Sequence, residues 1–360
     1  MTTQKTYYPQ LDAIRGISFL IGFFFHSYKP SSNNDLVEYL YSKMPLFIDV
    51  FFILSSFLLT YLGMEEYNSK KSFSFRNYFI RRTLRIWPLY FLFMFFSFVL
   101  LPIFQHVTGY SISLPPAAWY LFFVSNFYMT DHVFFLRILW TLSVEEQFYI
   151  FWGLCLLVFQ KYLRTVVFIF LIISIVFNIY ATAQNMQIYF HSLSYLFDMM
   201  VGAYLAYAFI NQNWLATLMK TLTYLQSVCF YFALPLLLIL FYFINLIIPV
   251  PMIGFMDLLF KFFFILYCGL MILDQMVNQQ NFVKLSNKKF LVYTGKISFG
   301  LYCFHGIVIS LSLLLFQRWN VQLPDMAKSL FMLACTYAIA SVSYKFYETP
   351  FLKLKSRLNR

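Results

Sequence analysis

Arg15 and His26 stand eleven residues apart in YYPQLDAIRGISFLIGFFFHSYK, an otherwise largely apolar stretch between Tyr7 and Lys29. A guanidinium can bind phosphate with two parallel bonds, and an imidazole can take a proton near neutral pH. On a helix, eleven residues make three turns plus about 20°, so both groups project from one face, about 16 Å apart along the axis. Asp12, Arg15, Gly22 and His26 follow the same helical rhythm and draw a narrow polar stripe. Each ionisable group costs roughly 2.5–3.5 kcal/mol in a membrane helix, and such groups usually mark a functional site. The plain structural alternative is a helix-start Asp, a snorkelling Arg and a His at the headgroups.

Further groups could complete an acid–base and anion-binding set. Asp49 lies in PLFIDVFFILSSFLL, and Glu145 and Glu146 lie in LWTLSVEEQFYIF. A carboxylate beside His26 would fix its tautomer and raise its basicity, as suits a base that deprotonates a hydroxyl. Asp49 could instead cap its helix, and the glutamates could open theirs. RNYFIRRTLRIWPLY sets Arg82 and Arg85 three residues apart on one helix face, with Arg81 alongside. This is a phosphate-binding pattern or ordinary positive-inside anchoring. Glu348 could orient one of these arginines or lie on the surface. His305 falls near the middle of a span, Asp198 has no evident partner, and Asp257 and Lys261 are spaced to satisfy one another.

The elements that must position these groups are membrane helices. Of the 360 residues 61% are hydrophobic and 11% charged, against about 25% charged in soluble domains. Apolar runs predict ten spans, at about 12–28, 46–63, 84–104, 142–160, 165–181, 192–210, 224–248, 256–273, 297–316 and 326–346. The fold class is therefore an all-α integral membrane protein with about ten transmembrane helices. The first run shows no cleavage site, so it reads as a span rather than a leader. The five cysteines all fall in apolar runs without metal-ligand spacing and read as small buried hydrophobes. The net charge of +12 is concentrated in a few loops, which is membrane topology rather than nucleic-acid binding.

Orientation follows from the basic loops. Lys70, Lys71, Arg76, Arg81, Arg82 and Arg85 crowd the loop after the second span; Lys161 and Arg164 follow the fourth and Lys220 the sixth. Lys284, Lys288, Lys289 and Lys296 follow the eighth, and Lys345, Lys353, Lys355, Arg357 and Arg360 mark the tail. The intervening loops are nearly neutral, with Lys29 and Lys43 offsetting Asp35 and Glu38, and Arg137 offsetting Asp131. Treating Ala117–Met129 as an outer re-entrant or surface segment puts every basic loop, and both termini, in the cytoplasm. Its aromatic residues Trp119, Tyr120, Phe127 and Tyr128 could stack on sugar rings or form an interfacial belt. His26, Asp49, Glu145 and Glu146 then fall near the outer face, and Arg15, Arg82 and Arg85 near the cytoplasmic one. No internal repeat or low-complexity linker is visible, so residues 1–360 read as a single transmembrane domain.

Six stretches in series resemble the acyltransferase-3 family of integral membrane acyltransferases: LDAIRGISFLIGFFFH, IDVFFILSSFLL, RRTLRIWPLY, LWTLSVEEQFY, GKISFGLYCFH and YETPF. Members move an acyl group, most often acetyl, from acyl-CoA to a sugar hydroxyl across the membrane. The resemblance implicates Arg15 and His26, the Arg82–Arg85 pair, and Glu145 and Glu146. One departure is Ser55-Ser56-Phe57, where the family usually has Ser-Gly-Phe; it puts a tight helix approach in question. The appended soluble esterase-like domain of some members is not expected here.

The expectation is thus a multi-pass O-acyltransferase of a bacterial cytoplasmic membrane. Acyl-CoA, acetyl-CoA by default, is the donor, and a glycan or lipid-linked sugar is the acceptor. The partners are membrane lipid and these substrates, with no nucleic acid and no metal. Arg15, Arg82 and Arg85 would hold the CoA phosphates, with the pantetheine arm rising along the stripe to His26. His26, oriented by Asp49, Glu145 or Glu146, would act as general base or carry the acyl group. A multi-pass secondary transporter is the alternative; it would usually show a two-fold repeat.

Overall fold

The computed structural model describes residues 7–30, 34–108, 112–128 and 133–357. Asp131, Arg360 and Met129 therefore lie outside the described residues. Every regular element among the described residues is helical. The first helix, α1 (Pro9–Ser27), starts with proline, whose missing N–H costs nothing in a first turn. A short surface helix, α2 (Asp35–Lys43), leads into α3 (Phe47–Lys70). Then come α4 (Phe75–Phe95), a wider π-type turn over Phe96–Leu100, and α5 (Leu101–Thr108). Short helices α6 (Ala117–Leu121) and α7 (Phe134–Arg137) precede α8 (Trp140–Val158) and α9 (Leu163–Ala183).

The second half holds α10 (Leu196–Asn211), α11 (Trp214–Lys220), α12 (Tyr224–Ile247) and α13 (Ile253–Val277). It closes with α14 (Lys289–Lys296), α15 (Ser298–Arg318), α16 (Asp325–Ser343), a π-type turn over Tyr344–Glu348 and α17 (Thr349–Arg357). Nine helical stretches among the described residues are long and apolar enough to cross a membrane. Helix α1, counted first of the ten expected, is not among those nine. Gln10, Asp12, Arg15 and His26 lower its hydropathy, although its 19 residues suit a span. The protein is an all-α integral membrane protein.

Two helices depart from their expected limits. Helix α3 runs on past residue 63 to Lys70, and Lys71, with φ 57°, ends it in the left-handed region. Helix α4 begins at Phe75 rather than near 84, with the Ser74 hydroxyl accepting from Asn77 N at 3.3 Å. Hydropathy marks only where a helix becomes apolar, and both helices extend through polar residues beyond that point. Arg82 and Arg85 therefore sit two to three turns inside α4, not at its start.

The densest packing joins α3 to α10 and α1 to α14. The residues before 297, expected as a basic loop, instead form α14. It lies against α1 because Gly16 and Gly295 have no side chain there. A Cβ on Gly16 would strike the Leu291 carbonyl, and one on Gly295 the Asp12 carbonyl. Outward faces of α9 and α12 stay apolar and exposed, with Ile172, Val176, Leu225, Leu236 and Ile247 at the surface. Lipid tails are as apolar as leucine, so such faces need no protein partner. Of the cysteines, Cys155, Cys268 and Cys303 are buried as expected, while Cys229 is exposed on α12.

The segment containing α6 folds into the bundle. Gln147 of α8 donates to the Phe123 carbonyl at 2.9 Å and to Asn126 Oδ1 at 2.8 Å. Phe123 stacks on Tyr90 and Trp87 of α4. Only short helical pieces form there, and none of them is long enough to span a membrane.

Candidate active site

Helices α1, α3, α4, α8 and α15 surround two cavities that share a wall. The first is a narrow cleft of about 90 Å³ lined by Arg15, Arg82, Arg85, Ser55, Glu145 and Tyr149, among others. The second is a chamber of about 360 Å³ that holds His26, His305, Arg137, Trp140 and Tyr189. Ile48, Phe51, Thr141 and Tyr302 line both. These four form the shared wall, the neck between the cavities. The Tyr302 hydroxyl shares a 2.6 Å hydrogen bond with Thr141 Oγ1 and donates to the Ile138 carbonyl. The stripe on α1 runs from one cavity to the other: Arg15 lines the cleft, and Ser18, Gly22 and His26 line the chamber.

In the cleft Arg15 and Arg82 are each 8% exposed. Arg15 takes Asp12 as its ion-pair partner at 3.0 Å, and Tyr7 bonds the same carboxylate at 2.9 Å. Arg82 lies over the Tyr149 ring, 5.8 Å from its centre. Arg81, expected alongside, turns away and pairs with Glu66 at 2.9 Å. Glu348 is buried, not a surface charge, and accepts from Ser343 at 3.2 Å. Like charges gathered in a poorly hydrated cleft repel one another, so an anion is the natural occupant.

The expected company of His26 is different in the structure. Glu145 was expected beside it but stands in the cleft with the arginines, where Ser55 donates to Oε1 at 2.8 Å and Tyr149 to Oε2 at 2.9 Å. Glu146, one residue on, points to another side of α8, where Trp87 donates to it at 3.3 Å. Its other oxygen is buried without a hydrogen-bond partner among the described residues. Helical phase is the reason: neighbouring residues diverge by about 100°, and Glu145 is one turn beyond Thr141, on the arginine side of the neck. Asp49 is buried on α3, against which α10 with its equally buried Asp198 packs, and among the described residues Asp49 Oδ2 and both Asp198 carboxylate oxygens have no hydrogen-bond partner. Lys261 reaches the same region, over the Tyr195 ring at 4.3 Å. Its expected partner Asp257 pairs instead with Lys43 at 2.6 Å. Among the described residues no carboxylate hydrogen-bonds His26.

What flanks His26 is aromatic and imidazole: the rings of Phe25, Phe134 and His305 lie 5.1, 5.2 and 5.6 Å away. His26 is exposed to the chamber, whereas His305 is buried. Tyr302, Thr141 and Tyr149 line the cleft as well, and the sequence does not mark them. They occur in or beside the quoted stretches, but tyrosine and threonine within apolar runs carry no distinct signal of their own. The Ser-Gly departure is accommodated: Ser56 is fully buried, its hydroxyl donating to the Met199 carbonyl, and Gly202 across the interface provides the close approach, since a Cβ there would strike the Ile53 carbonyl.

A family model described as "Acyltransferase domain" matches residues 8–345. The chain is 22% identical over 369 residues to "Peptidoglycan O-acetyltransferase OatA" of Listeria monocytogenes, covering 97% of this chain and 56% of that protein. It is 24% identical over 378 residues to "Putative peptidoglycan O-acetyltransferase YrhL" of Bacillus subtilis, covering 97% of this chain and 55% of that protein. The chain thus spans about half the length of the curated relatives it matches. No solved structure matches.

Proposed function

Since this chain belongs to the acyltransferase family whose model spans residues 8–345, we propose that it is a membrane O-acetyltransferase. Acetyl-CoA enters at the arginine cleft, and a cell-wall glycan hydroxyl receives the acetyl group in the histidine chamber. The carrying observation is a pair of adjoining cavities, with Arg15, Arg82 and Arg85 lining one, His26 lining the other and the Tyr302–Thr141 pair in the wall between. The relatives' printed names point to peptidoglycan as the acceptor class.

The cleft has one quarter of the chamber's volume, so it suits a slender arm rather than a nucleotide. The CoA phosphates rest at its mouth against Arg15, Arg82 and Arg85, which can each offer paired donors. The arm passes the neck and brings the thioester to His26, about 16 Å along α1. There His26 either takes the proton from the attacking hydroxyl or carries the acetyl group before passing it on. The distribution of basic loops supports an orientation with the cleft and both termini in the cytoplasm and the chamber at the outer face of a bacterial cytoplasmic membrane. The transmembrane part forms one domain.

The test is thiol release from acetyl-CoA by purified protein in nanodiscs, with and without an N-acetylglucosamine oligosaccharide. Wild type releases thiol and acetylates the sugar, while His26→Ala loses roughly 10²-fold or more of that rate. Transfer at the wild-type rate by His26→Ala would remove His26 from the chemistry; no thiol release from wild type would leave a transporter.

A further inference from the structure

We propose that His305 is the positioning partner of His26, an imidazole serving where a carboxylate would be expected. The inference rests on the reading of His26 as the reacting imidazole. It begins with a hydrogen bond of His305: its Nδ1 lies 2.7 Å from the carbonyl oxygen of Tyr302. A carbonyl can only accept, so Nδ1 carries the hydrogen and Nε2 is left with a lone pair.

The rings of His305 and His26 are 5.6 Å apart, inclined by 32°. An in-line N–H···N bond between two imidazoles would place their centres roughly 5 Å apart, given a heavy-atom separation near 2.9 Å. The pair is therefore a small adjustment from bonding, and catalytic hydrogen bonds often tighten only when substrate is bound. Among the described residues His26 has no side-chain hydrogen-bond acceptor of its own. The His305 ring is the imidazole the chamber places beside it, and in this proposal its Nε2 is the acceptor. Accepting from one His26 nitrogen, it holds the tautomer whose other nitrogen faces the chamber with a free lone pair.

His305 is held firmly enough for this. It is 4% exposed and packed by Phe19 and Phe23 of α1. The next residue, Gly306, lets α7 press against α15, since a Cβ there would come within 2.9 Å of Phe135 Cα. The other titratable or charged groups facing the pair are Arg137, Tyr189 and Tyr302, all on the chamber wall. None of them is a carboxylate.

When His26 takes a hydroxyl proton, positive charge develops on its ring. The hydrogen bond to neutral His305 spreads that charge without moving the proton. Protonating His305 first would place a like charge beside His26 and remove its acceptor, so acid would inactivate the pair.

The test uses the full chain in nanodiscs, with acetyl-CoA and chitotetraose as probes. His305→Ala should lower kcat about 10- to 100-fold, the scale on which hydrogen-bond partners of metal-bound imidazoles act, with KM for acetyl-CoA within twofold. His305→Gln, whose amide oxygen can still accept, should recover most of that rate. His305→Glu should move the acid limb of the kcat/KM profile to higher pH, because a facing carboxylate raises the basicity of His26. A purely structural role would lower all three alike with the acid limb unmoved, and that result would overturn the proposal. So would a His305→Ala rate within threefold of wild type. If His305→Ala does not fold, the Gln and Glu variants decide by the same criteria. Loss of activity in His26→Ala with full activity in His305→Ala would sink only this pairing; full activity in both would remove the reading of the site as well.

Discussion

Arg15, Arg82 and Arg85 come from two helices and meet in one cleft, and only Arg15 has an ion-pair partner among the described residues. Three arginines, two of them buried, line the cleft against the single carboxylate of Glu145, an excess of positive charge that favours an anionic ligand. Charge-assisted hydrogen bonds to such a group are worth about 1.5–3 kcal/mol each. Arg82→Ala combined with Arg85→Ala should therefore raise KM for acetyl-CoA at least about tenfold, with kcat changed much less. Steady-state kinetics with acetyl-CoA and with a CoA fragment lacking the 3′-phosphate would check this. An unchanged KM would mean that these arginines anchor the helix and do not bind donor. Glu145 belongs to the same residue-level account: held by Ser55 and Tyr149, it ties α3 to α8 at the cleft wall and sits across the neck from His26.

At the scale of elements, the site depends on how closely α1 is held. Its polar stripe faces the two cavities while an adjoining face rests on α14 through Gly16 and Gly295. The Asp12 carbonyl sits where a Gly295 side chain would be, and Asp12 itself orients Arg15. Gly295→Ala should push α14 away from α1 and cost about 1–3 kcal/mol, the usual range for overpacking. A lower melting temperature in nanodiscs, with a raised KM for acetyl-CoA, is the expected signature. A variant with wild-type melting temperature and KM would show that the α1–α14 contact does not set the position of Arg15. The early start of α4 has a similar consequence, since it moves Arg82 from a loop boundary to the level of Arg15.

For the molecule as a whole, the decisive feature is that the two cavities adjoin, and the proposed transfer needs their shared wall to open. That neck is framed by Thr141, Tyr302, Ile48 and Phe51, which belong to three helices: α8, α15 and α3. Thr141→Trp should fill that neck. Thiol release should then fall to background while acetyl-CoA still binds within about threefold of wild type by calorimetry, because the arginine cleft lies before the obstruction. Transfer at the wild-type rate through the blocked neck would show that donor and acceptor do not meet by this route.

By itself the sequence determined the solvent, the element type and the parts list. Long apolar runs leave only helices as a way to satisfy backbone groups in lipid, and period and spacing on a single helix are local properties. That is why the Arg15–His26 stripe, the Arg82–Arg85 pair and the non-spanning nature of residues 117–128 were all legible. The limits of α3 and α4 were not, because helices continue past their apolar portion wherever caps and packing allow. Which groups meet was decided only by the tertiary structure. Placing Asp49, Glu145 and Glu146 by depth alone put them near His26, but depth says nothing of the direction a side chain takes around its helix. Rotation and close crossing of neighbouring helices sent Glu145 to the arginines, Glu146 to Trp87 and Asp49 into the buried interface of α3 and α10. The same packing brought His305, 279 positions away in the chain, to within a ring's reach of His26. Such contacts depend on how several helices pack at once, and no single helix carries that information.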